Sequence, residues 1–130
     1  MRNKLVENEN IHHFSVISDF VKMGYKILAF SFVSFNMDTV MNNFIEVENL
    51  TKSWSESHPE IIFDSMAEGM EMDAVNISVH KNYSDYNVFL EQSKIVYGKF
   101  ITEGNSILVD LEGGINKPFS FKYLAEKKET

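Results

Sequence analysis

The chain has 130 residues, 44% of them hydrophobic, which suits one domain with a buried core. Nineteen acidic residues against twelve basic ones give a formal net charge of -7, and the densest basic pair, Lys127 and Lys128, is flanked by Glu126 and Glu129. Such a chain repels phosphate backbones and anionic lipid, so no direct nucleic-acid contact and no membrane association are expected. Cysteine is absent, which excludes disulfides and thiolate chemistry. The longest mostly apolar run, Ile27 to Phe35, falls short of the roughly 20 residues that span a bilayer. The N-terminus, with Arg2, Lys4 and Glu7, lacks the apolar stretch of a signal peptide, so a non-secreted, cytoplasmic protein is expected.

In chain order, Asn3 to Asn10 is polar and helix-compatible, and Ile11 to Ile17 alternates Ile11, His13, Ser15, Ile17 against His12, Phe14, Val16. That alternation predicts a half-buried N-terminal strand. Asp19 to Tyr25, with Gly24, reads as a turn into the next extended run. In Ile27 to Phe35 one side carries Leu28, Phe30 and Phe32 and the other Ile27, Ala29, Val33 and Phe35, so both faces need cover. One would lie under helices and the other against a second copy of the chain, which predicts a dimer through the sheet.

A helix from Thr39 to Ser57 follows, with Asn36 or Asp38 as N-cap, an inward stripe of Val40, Phe44, Val47, Leu50 or Thr51, and Trp54, and Pro59 as terminator. Ile61 to Met66 is the second strand of the sheet, and a third begins at Ala74. Tyr86 to Tyr97 is a second helix, N-capped by Ser84 and turned inward by Tyr86, Phe89, Leu90 and Val96, with Gly98 placed for a left-handed C-cap. Phe100 to Thr102 and Ser106 to Leu111 are extended, with a turn or bulge at Gly104 and Asn105. After Gly113 and Gly114, Pro118 to Leu124 alternates as a short edge strand.

A strand-helix-strand pattern thus occurs twice. The fold class this predicts is α+β, a ferredoxin-like βαββαβ sandwich with an extra N-terminal strand and a short C-terminal strand, dimeric through the sheet. Residues 1–24 form the N-terminal helix end and linker strand, 25–112 the core and 113–130 a C-terminal extension of one domain. The fold hosts many functions, so function must come from a site.

No catalytic residues stand out. His12 and His13 are adjacent on a presumed strand and point to opposite faces, while His58 and His80 lie on different elements, so no metal site and no cofactor is expected. Glu68, Glu71 and Asp73 lie in one exposed connection rather than across a cleft. Serines lack the GxSxG turn, no phosphate-cradling glycine loop is present, and Lys81, Lys94 and Lys99 suit ion pairs around the second helix. The connection Glu68-Gly69-Met70-Glu71-Met72-Asp73 has two readings: a hairpin turn in which Gly69 supplies a positive φ, or a small-ligand loop using backbone N–H groups and thioethers.

The stretch Leu5 to Ile11, then Phe14 to Asp19 and Lys22-Met23-Gly24-Tyr25, resembles the junction between DNA-reading and effector domains in leucine-responsive regulatory protein/AsnC-type transcription regulators. Ile27 to Val33 resembles the first strand of that effector domain, and His58-Pro59-Glu60-Ile61 its Leu-Pro-Glu-Val step. Gly69 and Asp73 match the glycine and aspartate of the family's Thr-Gly-x-Tyr-Asp loop, whereas Glu68 stands for the threonine, Met72 for the tyrosine, and one extra residue separates glycine from aspartate. The resemblance implies a regulatory domain without its helix-turn-helix, not an enzyme. It also implies an amino-acid or similar effector at Glu68, Gly69, Met70, Glu71, Met72 and Asp73. The partners it implies are a homodimer through Phe14, Val16, Leu28, Phe30 and Phe32 or a higher ring of dimers, with hetero-association with full-length regulators as a further mode. Two rival readings remain open: a small dimeric α/β-barrel monooxygenase-like enzyme using aromatics such as Phe30, Phe32, Trp54 and Phe89 with His80, and an interaction module pairing by edge addition of Ile11 to Ile17.

Overall fold

The run of apolar residues read as the first core strand is the centre of the sheet in a computed structural model that describes residues 16–119 together with Lys122 and Leu124. In chain order the elements are α1 (Val16–Lys22), β1 (Ile27–Phe35), α2 (Met37–Asn42), α3 (Phe44–Ser57), β2 (Ile61–Gly69), β3 (Met72–His80), α4 (Tyr83–Tyr97) and β4 (Ile101–Asp110). The strands lie in the order β2-β3-β1-β4 and every neighbouring pair is antiparallel. This is the ferredoxin-like arrangement that the doubled strand-helix-strand pattern demands.

Two faces follow from the register. His80 meets the Tyr86 and Phe89 rings of α4, and Ser78 bonds to His80, so Ser78, His80 and their partners Ala29 and Ile27 face the helices α2 to α4. Leu28, Val79 and Leu111 form a cluster on the opposite face, where Phe20 of α1, Tyr25 and Ile115 pack over them. Leu28 is only 2% exposed within the single chain. Leu28, expected at the dimer contact, is thus already covered within the single chain by α1 and the segment after β4, and the open part of this face begins at Phe30.

The expected N-terminal strand is corrected where it can be seen. Its residues 11–15 lie outside the described residues, and Val16 and Ile17 open helix α1, which continues to Lys22 through the region read as a turn. Packing of Phe20 on the sheet decides the conformation there, overriding a short period-two pattern. Gly24, at φ 92°, makes the actual turn into β1. The C-terminal edge strand is likewise absent among the described residues: Pro118 and Phe119 lie outside any strand and Lys122 and Leu124 are helical. The Leu111 N–H donates to the Lys26 carbonyl and the chain then turns, bringing Ile115 onto the sheet face rather than alongside β4.

The single helix expected from Thr39 to Ser57 is two helices broken at Asn43. Its side-chain amide donates to the Thr39 carbonyl at 2.8 Å, taking the acceptor a continuous helix would give to the Asn43 N–H, which bonds to Val40 O instead. The caps also differ in detail. Asn36 accepts from the Thr39 N–H, as expected, but Asn82 rather than Ser84 caps α4, accepting from the Asp85 N–H at 2.8 Å. Gly98 is right-handed at φ -51°, not a left-handed cap; glycine is favoured there because a Cβ would stand 2.6 Å from the Lys94 carbonyl oxygen. β4 is one continuous strand in which Gly104 pairs with Val33 and Asn105 with Phe32, and the register shifts instead opposite Ser34/Phe35, where Thr102 of β4 is the extra residue.

Candidate functional site

The connection between β2 and β3 resolves into a tight hairpin. Gly69 pairs with Met72, leaving only Met70 and Glu71 at the tip, both with positive φ (52° and 60°). A two-residue hairpin of this hand normally takes Asn and Gly, so two ordinary side chains here hold a strained backbone. Gly69 supplies a further positive φ of 135°. Ser34 of β1 holds the tip from the side, its hydroxyl donating to the Glu71 carbonyl at 2.6 Å and approaching the Met72 sulfur at 3.2 Å. The Asp73 carboxylate accepts from the Phe35 N–H at 2.8 Å, extending the β1-β3 pairing past its last rung. Of the six expected loop residues, Glu71, Met72 and Asp73 are thus engaged with β1, and Glu68, Gly69, Met70 and the Glu71 side chain are exposed.

A second feature lies across the sheet. On the face away from α2 to α4, Phe63, Ile77, Phe30 and Ile107 are successive register partners on β2, β3, β1 and β4, an unbroken apolar row. Its two ends are open, Phe63 at 51% and Ile107 at 59% exposure. Phe32 and Val75 continue the face toward the hairpin. Of the expected contact residues, Phe30 and Phe32 lie here; Phe14 lies outside the described residues and Val16 begins α1.

The next row faces the helices and is polar throughout: Asp64, Asn76, Ser31 and Ser106 are register partners on the same four strands. All four line a cavity of about 1170 Å³ between sheet and helices, walled by Phe44, Val47, Trp54, Phe89 and Tyr97 among others. Ser31 and Ser106 hydroxyls bond to each other at 3.1 Å, and Tyr97 donates to the Thr51 hydroxyl across the two helices at 3.3 Å. Asn76 Oδ1 is shielded from solvent and accepts no hydrogen bond. Loss of water around Asp64 pushes its carboxyl above the ordinary value, opposed by a backbone hydrogen bond from Ser65. Burial also raises the Tyr97 phenol, against the Thr51 bond and with the Asp64 charge adding to the rise. Neither row was singled out from the sequence. The signal was present as Ser31 inside the apolar run Ile27 to Phe35 and Asn76 between Val75 and Ile77.

The histidines have separate structural partners. His58 stacks on Trp54 with ring centroids 3.7 Å apart and contacts the Trp54 carbonyl through Nδ1 at 2.8 Å. His80 is 3% exposed, bonds to the Ser78 hydroxyl at 2.8 Å and is absent from the cavity lining. Burial holds its imidazole below the ordinary value, with the charges of Glu60 and Asp85 opposing. His12 and His13 lie outside the described residues. Lys94 pairs with Glu91 at 3.6 Å and Lys99 with Glu46 at 3.2 Å, both exposed. No helix among the described residues is long and apolar enough to cross a membrane.

No known protein-family model matches the sequence, and no curated protein matches it. Among solved structures, the chain is similar to an AsnC family transcriptional regulator from Agrobacterium tumefaciens, at 18% identity and TM-score 0.57. It is also similar to a transcriptional regulator from Neisseria meningitidis in complex with L-Met, at 14% identity and TM-score 0.53. Each likeness covers 94% of this chain and 74% of the other. The chain has the α+β, ferredoxin-like fold found in AsnC family transcriptional regulators.

Proposed function

We propose that this chain is a regulatory, non-enzymatic effector-binding and oligomerisation domain of the leucine-responsive/AsnC type. It binds an amino acid or similar small metabolite at the hairpin of Glu68, Gly69, Met70, Glu71, Met72 and Asp73, and acts in the cytoplasm. The observation that carries the reading is the apolar row on the open sheet face, beside a fold that regulators of this type share. A second copy covering Phe30, Phe32, Phe63 and Ile107 removes that surface from water and places the two hairpins near the subunit boundary. Rings of such dimers and mixed assembly with full-length regulators extend the same contact. The strained tip supports a ligand role, because left-handed Met70 and Glu71 cost local stability and such strain clusters at binding sites.

Calorimetric titration with a panel of amino acids tests the effector. L-Met heads the panel, because the Neisseria meningitidis regulator was solved with it. Saturable heat from at least one member is expected, and its loss in Glu71→Gly locates it at the hairpin. Silence of the whole panel at millimolar concentration refutes the effector assignment. The enzyme reading draws on the aromatic cavity walls, but its histidine, His80, is closed beneath Tyr86 and Phe89. Quinol turnover abolished by His80→Ala would restore it.

A further inference from the structure

An antiparallel sheet under a layer of helices is expected to turn apolar residues toward the helices and polar ones toward water. Here two adjacent rows are reversed. Phe63, Ile77, Phe30 and Ile107 lie on the face away from α2 to α4, while Asp64, Asn76, Ser31 and Ser106 lie on the helix side, with Asp64 and Ser106 at its exposed edges. A second copy accounts for the first row; it leaves the second unexplained. We propose that the cavity over this polar row is a ligand site for an elongated, mainly apolar molecule ending in a primary amine, held by Asp64 and Asn76.

The volume of about 1170 Å³ exceeds what an amino acid fills and suits a larger ligand. Most of the wall is apolar, with Phe44, Val47, Trp54 and Phe89 able to cover a hydrocarbon or aromatic body. Of the four polar side chains in the floor row, the Ser31 and Ser106 hydroxyls already bond to each other. The other two members of that row are the Asp64 carboxylate and, beside it in register, the Asn76 amide. Because Asn76 Oδ1 has no donor, rotating that amide to meet a ligand N–H breaks no bond at the oxygen. Two neighbouring acceptors call for a group with several donors, and an ammonium supplies three. Lys52, Lys94 and Glu48 also border the cavity from the helices. The lysines make a carboxylate-ended ligand the competing occupant. The site is separate from the β2-β3 hairpin and stands whether or not the hairpin holds an effector.

Trp54 is the only tryptophan in the chain and lines the cavity, so its emission reports occupancy. The probes are phenylbutylamine, phenylbutanol and phenylbutyrate, which share a body and differ in head group. Phenylbutylamine is expected to give a saturable change, with the alcohol weaker by about tenfold or more, the loss of one charge-assisted hydrogen bond. Asp64→Asn should reduce the amine to the level of the alcohol. Equal binding of all three probes, tighter binding of phenylbutyrate, or no saturable response to the amine overturns the assignment. Amide NMR of the unmodified chain decides the matter if Asp64→Asn fails to fold. Amine-induced shifts at Ser31, Asp64 and Asn76 support the site, whereas shifts confined to Gly69 to Asp73 or to the opposite sheet face overturn it.

Discussion

Replacing both Phe63 and Ile107 by serine tests the open sheet face directly. Each side chain is about half exposed, at 51% and 59%. Complete burial of such a group is worth about 1.5–3 kcal/mol, so covering the open half gains about 1 kcal/mol. A two-fold contact uses each position twice, and the double variant therefore removes four contributions, about 4 kcal/mol or close to a thousandfold in the dimer dissociation constant. Sedimentation velocity over a concentration series measures this, with circular dichroism to show that the monomer remains folded. The parent is expected to be dimeric where the variant is monomeric. A parent that stays monomeric at every concentration, or a variant that associates equally well, refutes the reasoning.

Relaxing the hairpin should stabilise the chain: Met70→Asn with Glu71→Gly relieves two left-handed residues and raises unfolding free energy by about 1–2 kcal/mol in urea titration. No change would mean that the tip is unstrained. His80 should contribute an acid-sensitive limb. Its folded-state value is depressed, so its contribution is complete above the unfolded value of 6.5 and is lost as pH falls through the depressed one. Urea midpoints should fall over that window in the parent and less so in His80→Gln; identical slopes contradict the assignment. Phe100 is 1% exposed, and Phe100→Ala should cost about 3–5 kcal/mol by thermal or chemical unfolding. A loss below about 1 kcal/mol would show that the space collapses freely.

The core was legible where pattern and packing agree. β1 runs over the predicted Ile27 to Phe35, and the inward positions Tyr86 and Phe89 on α4 are buried as their spacing required. What escaped depended on competition between local hydrogen bonds or on distant partners. The break at Asn43 arises from one side-chain amide outbidding a backbone N–H, a choice periodicity does not register. The continuity of β4 through Gly104 and Asn105 is supplied by pairing with Val33 and Phe32 on β1. The candidate hairpin was visible as a segment, with its glycine-supplied turn among the stated readings, but the positive φ at Met70 and Glu71 was not. The polar row was least legible, because Asp64, Asn76, Ser31 and Ser106 come together only through the register of four strands.

The lid that α1, Tyr25 and Ile115 place over Leu28 has a consequence for geometry. It fills one end of the outer surface, so a mate can seat itself only toward the Phe30 and Phe32 end. That end is also where Ser34 grips the Glu71 carbonyl and the Met72 sulfur. A metabolite lodged at the tip would tug on the rim of the seat, and an occupied seat would in turn stiffen the tip. Gating of assembly by a small molecule would then need no travelling signal through the protein, only the few ångströms separating the rim from the tip.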